Sequence, residues 1–345
     1  MFRDWGVVGQ GSRLRRSGPL VAPVVWGGLA VAWRVWCPLA REPGLPMRVA
    51  TSVVFLTVGI GLLLGVRGGL VRELARVRAV AEAAQQVLLR PPAARIDGLA
   101  VAAGQLSAAR GAVVGGDLYE AVATPYGVRI VIGDVRGHGL AALGTVVALL
   151  GSFREAAHDE AELADVLRRL ERALGRHLCE RAREEHPVAE EFATLLLLEI
   201  GPDGELRILD CGHPGPYRIG GRRVEPVPVG DPLPPLGSFP LPSDLVPYAA
   251  PRLLPGETLV LHTDGAEEAR DHRGRFFPLP AVLAGAAREA PAELVRQVHT
   301  ALLRHTGGRL ADDVALLAVR NDRVRVPAQP AEPGLRRTRP TPSPH

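Results

Sequence analysis

The sequence contains no lysine, since all 41 of its basic residues are arginine. This absence excludes the P-loop NTPases, the protein kinases and the Schiff-base enzymes, because each class depends on one reactive or phosphate-pairing lysine. Cysteine is nearly as scarce: Cys37, Cys179 and Cys211 are the only three, and no two of them form a CxxC pair. The sequence therefore indicates neither a zinc ribbon nor a disulfide framework.

The net charge of +4 is unevenly distributed along the 345 residues. Residues 1–90 carry a net charge of +8 and residues 320–345 one of +4, whereas the segment between them, 91–319, carries −8. A nucleic-acid-binding domain needs its positive charge on the folded body, where the charge meets phosphates. Because the excess of arginine lies at the two ends, we expect no nucleic-acid partner.

Two apolar stretches predict a membrane region over residues 17–66, after a basic cytoplasmic N-terminus, residues 1–16. Val49 to Val66 is 18 residues without a charge, about the length that spans a hydrocarbon core. Ser17 to Trp33 is interrupted by prolines and glycines, so it is either the first helix of a transmembrane hairpin or a signal sequence. Arginines flank the two stretches, and the positive-inside rule assigns these flanks to the cytoplasm. We expect a multi-pass anchor in the cell membrane with the rest of the chain inside the cell.

Residues 67–92 predict an amphipathic linker helix. Apolar residues recur at spacings of three and four between Leu70 and Leu89, and Pro91 and Pro92 end the pattern. The helix is either a spacer that packs on the following domain or a parallel dimer helix that carries a signal, in which case the chain is a homodimer. Residues 321–345 are rich in Pro and Arg, and this composition predicts a disordered tail.

The segment from residue 93 to 320 mixes strands and helices. Three periodic stretches, 141–153, 160–178 and 289–304, predict helices, and five apolar runs predict strands. The runs are VRIVIGDV, ATLLLLEI, LRILDCG, TLVLHTDG and VALLAVR. Because helical stretches separate groups of strands, the pattern favours an α+β sandwich over a regular βαβ repeat.

Aspartates stand at the boundaries of these strands. Asp134 and Asp264 each end a predicted strand, Asp117 follows a pair of glycines, and Asp312 and Asp313 precede the last strand. A single aspartate beside glycine is usually part of a turn. Four acidic clusters at strand ends, however, are expected to converge on one rim of a sandwich. Carboxylate oxygens suit hard divalent cations such as Mg²⁺ or Mn²⁺.

Six motifs follow one another in this segment, and four of them contain these aspartates. They are VGGDLYE (114–120), IGDVRGHGL (132–140), FAT (192–194), DCGHP (210–214), PGETLVLHTDGAEEARD (255–271) and ADDVALL (311–317). In this order they resemble the PPM family, the metal-dependent type 2C protein phosphatases, in the bacterial branch named after stage II sporulation protein E. The resemblance covers residues 85–320 and implies a PPM-type β-sandwich flanked by helices, here preceded by the membrane region.

The resemblance also implies a site for two divalent cations, Mn²⁺ or Mg²⁺. By position, Asp134 matches the carboxylate that the two metals share, and the backbone carbonyl of Val135 is a further ligand. The remaining carboxylate ligands are matched by Asp117, Asp264 and Asp312. For the last of these, the neighbouring Asp313 stays an alternative. Asp134 and Asp117 are the implied catalytic residues, because the ions that they hold would activate a water and neutralise the phosphate.

The implied activity is that of a serine/threonine phosphoprotein phosphatase in bacterial sigma-factor or stress signalling. The implied substrate is a phosphoprotein, with an anti-sigma-factor antagonist as the example that the family offers. Two alternatives stay open: a non-catalytic PPM-like scaffold, and a metal-dependent hydrolase of small phosphoesters. The chain departs from the family pattern at Arg136 and His262, where Ser and Tyr are common, and neither departure removes an implied ligand.

Overall fold

The computed structural model describes eight ranges of the chain. They are residues 26–29, 31–33, 36, 45–88, 91–107, 115–137, 140–183 and 191–323. The predicted cytoplasmic N-terminus, most of the first apolar stretch and nearly all of the predicted tail lie outside these ranges. The chain divides into two compact units, Met1–Glu82 and Ala83–His345.

The first unit is dominated by one long helix, α1 (Leu45–Leu88). Within the described residues, its segment Val49–Glu73 is the one helix that is long and apolar enough to cross a membrane. Trp26, from the first apolar stretch, contacts this helix: the ring centroids of Trp26 and Phe55 are 5.4 Å apart. The helix continues without a break from the apolar segment into the predicted linker. The second span of the predicted hairpin stays a prediction.

The second unit is a sandwich of two antiparallel sheets. One sheet contains β1 (Arg95–Ile96), β2 (Leu99–Leu106), β7 (Tyr217–Gly220), β8 (Arg223–Pro226), β10 (Thr258–His262) and β11 (Val314–Asn321). The other contains β3 (Asp117–Thr124), β4 (Gly127–Val135), β5 (Ala193–Ile200), β6 (Leu206–Cys211) and β9 (Tyr248–Ala250). Their strand orders are β1-β2-β11-β10-β7-β8 and β3-β4-β5-β6-β9.

Helices cover the outer face of each sheet. The helices of this unit are α2 (Leu140–Asp159), α3 (Leu163–Arg183), α4 (Asp264–Glu268), α5 (Leu279–Gly285) and α6 (Pro291–His305). α2 and α3 pack together on the five-stranded sheet, while α5 and α6 pack on the six-stranded sheet. The predicted α+β sandwich flanked by helices is therefore confirmed.

The central strands are apolar on both faces because each strand lies between two layers. Leu195 to Leu198 of β5 are all fully buried, and so are Val314 to Val319 of β11. Side chains that alternate along such a strand enter the core between the sheets and the core beneath the helices in turn. This double burial explains why the two strands read as continuous apolar runs.

A buried ion pair connects the five-stranded sheet to the turn between α2 and α3. Arg129 is fully buried and donates to Glu199 Oε2 at 2.8 Å. Its other guanidinium N–H groups donate to the carbonyl oxygens of Ala157, Glu160 and Ala161 at 2.5–2.9 Å. Because an unpaired buried charge is strongly unfavourable, this set of partners fixes where the two helices sit on the sheet.

One predicted strand is shorter than expected. The run from Thr258 to Gly265 leaves the sheet after His262, and Asp264 begins α4. The side chain of Thr263 takes part in the pairing with β11 at this point. Its Oγ1 accepts a hydrogen bond from the backbone N–H of Ala315 at 2.9 Å. Asp264 therefore lies at the start of a short helix and not in a turn.

Candidate active site

Strand register brings two of the predicted carboxylates together. Asp117 of β3 lies directly opposite Asp134 of β4, and Asp134 lies directly opposite Thr194 of β5. Side chains of directly opposed residues project from the same face of a sheet. The three side chains therefore form a row across the end of the five-stranded sheet.

Thr263, the residue that directly follows β10 of the six-stranded sheet, contacts this row. The hydroxyl of Thr263 donates to Asp117 Oδ2 at 3.2 Å, and its backbone N–H donates to the carbonyl oxygen of Ala315 at 3.1 Å. Asp117 is 2% exposed, so its carboxylate is held between the two sheets. Thr263 was not predicted from the sequence; its place directly before Asp264 at a strand end is the signal that points to it.

Two glycines allow the backbone to approach the acidic side chains closely. A Cβ atom on Gly116 would lie 2.2 Å from the carbonyl oxygen of Val135 and 2.7 Å from Asp134 Oδ1. A Cβ atom on Gly115 would lie 1.8 Å from Asp313 Oδ2. The predicted ligand atoms of Val135 and Asp134 are thus neighbours above Gly116, and Asp313 reaches the same segment from the loop before β11.

The carboxylates raise each other's pKa values. Burial raises the pKa of Asp134 to about 7, and the charges of Asp264, Asp312 and Asp313 add to this effect. The pKa of Asp117 is raised well above its usual value by burial and by the charges of Asp134, Asp313 and Asp312. Burial and the charge of Asp312 also raise the pKa of Asp264. The structure therefore brings all of the sequence-predicted acidic residues into one electrostatically coupled group.

The donor chemistry of this group fits a hard divalent cation. In the part of the chain that the structure describes, no three Asp, Glu, His or Cys side chains have the arrangement of a formed metal site. The site nevertheless offers carboxylate and carbonyl oxygens, and its negative charges repel one another, so a cation would relieve this repulsion. The assignment of Asp117, Asp134, Val135, Asp264 and Asp312 as ligands stays a prediction.

His213 connects the two sheets beside the acidic group. Its Nδ1 is 3.0 Å from Thr194 Oγ1, and its Nε2 is 3.1 Å from the carbonyl oxygen of His262. Burial lowers the pKa of His213 to about 3, and His262 contributes to the shift, so the ring is neutral. Because a carbonyl only accepts, Nε2 carries the proton and Nδ1 accepts from the threonine hydroxyl. His213 thus has a positioning role.

A second contact holds the helix that carries Asp264. Tyr217 donates its hydroxyl to Glu267 Oε1 at 2.6 Å, and its ring stacks on His262 with the centroids 5.6 Å apart. Burial, with the Glu267 hydrogen bond as the next cause, raises the pKa of Tyr217 to about 12, so the phenol is neutral. The Tyr217 contact ties α4 to β7.

Two solved structures share this architecture. The SiaA PP2C domain of Pseudomonas aeruginosa is 18% identical with a TM-score of 0.54, over 74% of this chain and 98% of that one. The RsbU and RsbW domains of a Mycobacterium tuberculosis protein are 26% identical with a TM-score of 0.50, over 67% of this chain. This chain spans 61% of the length of that relative.

The fold is that of a PP2C-type phosphatase domain, and the acidic group lies at one end of its two sheets. Residues 124–322 match the sequence model of the family Stage II sporulation protein E (SpoIIE). This match covers more than half of the chain, which therefore belongs to the SpoIIE family. The domain is homologous to the PP2C serine/threonine phosphatases, which are metal-dependent hydrolases.

Proposed function

We propose that this protein is a membrane-anchored, metal-dependent serine/threonine phosphoprotein phosphatase. The observation that carries the proposal is the acidic group at one end of the sandwich, in which Asp117 faces Asp134 across β3 and β4. The carboxylates are buried together and raise each other's pKa values, an arrangement typical of a functional site.

The proposed ligands are Asp117, Asp134, the carbonyl of Val135, Asp264 and Asp312. Two divalent cations, Mn²⁺ or Mg²⁺, would supply charge neutralisation and an activated water when bound. The chain's own contribution is to fix the oxygen donors. Thr263 orients the carboxylate of Asp117, Tyr217 holds the helix of Asp264, and Gly116 leaves room for two neighbouring ligand oxygens.

The membrane part of the proposal is supported by α1 and by the flanking arginines. The segment Val49–Glu73 has the length and composition of a spanning helix, and the stretch 17–33 would supply the other helix of a multi-pass anchor. The catalytic domain would then lie in the cytoplasm. A homodimer through residues 67–92 is the form in which this helix would carry a signal. The proposed partner is a phosphoprotein such as an anti-sigma-factor antagonist.

Hydrolysis by the full-length chain in detergent micelles tests the activity. A phosphoserine peptide and a nucleoside monophosphate are compared in Mn²⁺, Mg²⁺ and chelator, with Asp134→Asn beside the wild type. Asp203→Asn is the matched control, because Asp203 is an exposed residue in the turn between β5 and β6. We expect metal-dependent hydrolysis of the peptide by the wild type and by Asp203→Asn, and none by Asp134→Asn.

The other outcomes each support a different function. A preference for the nucleotide would indicate a hydrolase of small phosphoesters. An absence of turnover by a folded chain that Mn²⁺ stabilises would indicate a signalling scaffold. Recovery of the full-length chain in the soluble fraction, without detergent, would contradict the membrane anchor.

A further inference from the structure

We propose that Arg136 binds the phosphoryl group of the substrate and that Phe192 positions the guanidinium of Arg136. This inference rests on the proposed phosphatase function and adds a residue to its substrate site. Arg136 directly follows β4, and its backbone N–H donates to the carbonyl oxygen of Phe192 at 2.9 Å. This bond extends the pairing of β4 with β5 by one residue, beyond the pairs Asp134–Thr194 and Val135–Ala193.

The position of Arg136 follows from the alternation of side chains along the strand. Residues two apart project from the same face, and their Cα atoms are about 7 Å apart. Arg136 and Asp134 are two apart, so the arginine starts from the face that carries the acidic row. Arg136 lies beyond Asp134, toward the open end of the sandwich. Arg136 is exposed, whereas Asp117 is buried. The backbone of Arg136 therefore lies at the exposed edge of the face that carries Asp134, within reach of a ligand at the site for a side chain as long as arginine.

The guanidinium is held by an aromatic ring. Its central carbon lies 5.2 Å from the ring centroid of Phe192, within the range of a cation–π contact. Such stacking reduces the freedom that an exposed arginine loses when it binds a ligand, and the planar fork still matches two oxygens of a phosphate. A phosphate that approaches five carboxylates meets a strongly negative field. A cation held beside the site would offset part of that repulsion and would complement the phosphoryl oxygens.

Kinetics and phosphate binding by the full-length chain, with Mg²⁺ present, test the proposal. We expect Arg136→Ala to raise KM for a phosphoserine peptide, and the inhibition constant for inorganic phosphate, by about 10-fold or more, the effect typical of a lost hydrogen bond to a charged group. We expect kcat to change by less than about threefold, because the contact is made before and during the reaction alike. Arg136→Lys restores the charge without the fork and should recover part of the loss.

The positioning role of Phe192 has its own readout. Phe192→Leu should raise the same two constants by a smaller factor, and Phe192→Tyr, which keeps the ring, should not. In the double variant, Arg136→Ala with Phe192→Leu, the second change should add nothing, because the ring acts only through the guanidinium. Arg222→Ala, in the exposed turn between β7 and β8, is the matched control and should leave both constants unchanged.

Thermal stabilisation by inorganic phosphate separates this inference from the proposed function, because it requires no turnover. If phosphate stabilises the wild type more than Arg136→Ala, the phosphate contact is supported even in a chain without hydrolytic activity. If phosphate stabilises both equally or neither, Arg136 does not bind the phosphoryl group, whatever the activity. Additive losses in the double variant would overturn the role of Phe192.

Discussion

Replacement of Asp134 by Asn should stabilise the metal-free protein. The carboxyl of Asp134 has a pKa of about 7 in the folded chain and an ordinary value of 3.8. Its ionisation is thus disfavoured by burial and by three neighbouring carboxylates. A difference of about three pKa units corresponds to about 4 kcal/mol once the group is fully ionised. Because Asp134 is partly accessible to water, we take about 2–4 kcal/mol as the expected gain on its removal.

The pH dependence of this gain has a definite sign. Below pH 3.8 the Asp134 carboxyl is protonated in both the folded and the unfolded chain and does not lower the stability. As the pH rises from 3.8 to about 7, the carboxyl ionises first in the unfolded chain, which lowers the free energy of unfolding. Asn has no charge to lose. The stability difference between Asp134→Asn and the wild type should therefore be largest at pH 8 and less than half as large at pH 5.

Thermal unfolding of the full-length chain in chelator measures this difference. For a domain of this size, we expect Asp134→Asn to unfold at a temperature roughly 5–12 °C higher than the wild type at pH 8. Addition of Mn²⁺ should stabilise the wild type more than the variant, which lacks the carboxylate that we propose the two cations share. Asp203→Asn should match the wild type throughout. A variant that is less stable than the wild type in chelator at pH 8 would refute the electrostatic reasoning.

Three further changes test other parts of the structure. Arg129→Met should cost about 3–5 kcal/mol in urea denaturation, because it removes the buried partner of Glu199 and leaves this carboxylate only the longer ion pair with the partly exposed Arg207, at 3.5 Å; an unchanged midpoint would contradict this. Gly116→Ala should abolish the stabilisation by Mn²⁺, whereas Gly151→Ala, on an open face of α2, should retain it in the same thermal assay. Burial lowers the pKa of His299 to about 4, so the wild type should lose stability as the pH falls from 6.5 to 4. In urea denaturation, the free energy of unfolding should decrease between pH 7 and pH 4.5 by roughly 1–2 kcal/mol less in His299→Gln than in the wild type. Equal decreases in the two proteins would contradict the assignment.

The strands that the sequence predicts are those with two buried faces. β4, β5 and β11 consist mostly of apolar residues because neither face of these strands meets water. β2 was missed, since its alanines and glycine carry little strand preference and its position depends on pairing with β11. The short strands β7, β8 and β9 lie at or near sheet edges and have few buried side chains, so their sequences carry a weak signal.

The candidate site was predictable at the level of residue types and not at the level of contacts. Asp117 and Asp134 stand at strand ends in the sequence, but their direct opposition follows from the register of β3 with β4. The bond from Thr263 to Asp117 joins residues 146 positions apart and depends on how the two sheets pack. The position of Thr263 beside Asp264 is visible in the sequence, but local patterns carry no information about its contact with Asp117.

The site combines unfavourable charge with a rigid frame, and these two properties have separable consequences. The coupled carboxylates destabilise the free protein, while bonds from Thr263 and His213 hold both sheet ends in place. A cation can then lower the free energy of the folded state without a large rearrangement, because the donors are already near one another. Changes at Asp134 should therefore alter metal-free stability and the response to metal together. Changes at Arg136, outside the acidic group, should alter phosphate binding and leave the response to metal unaltered.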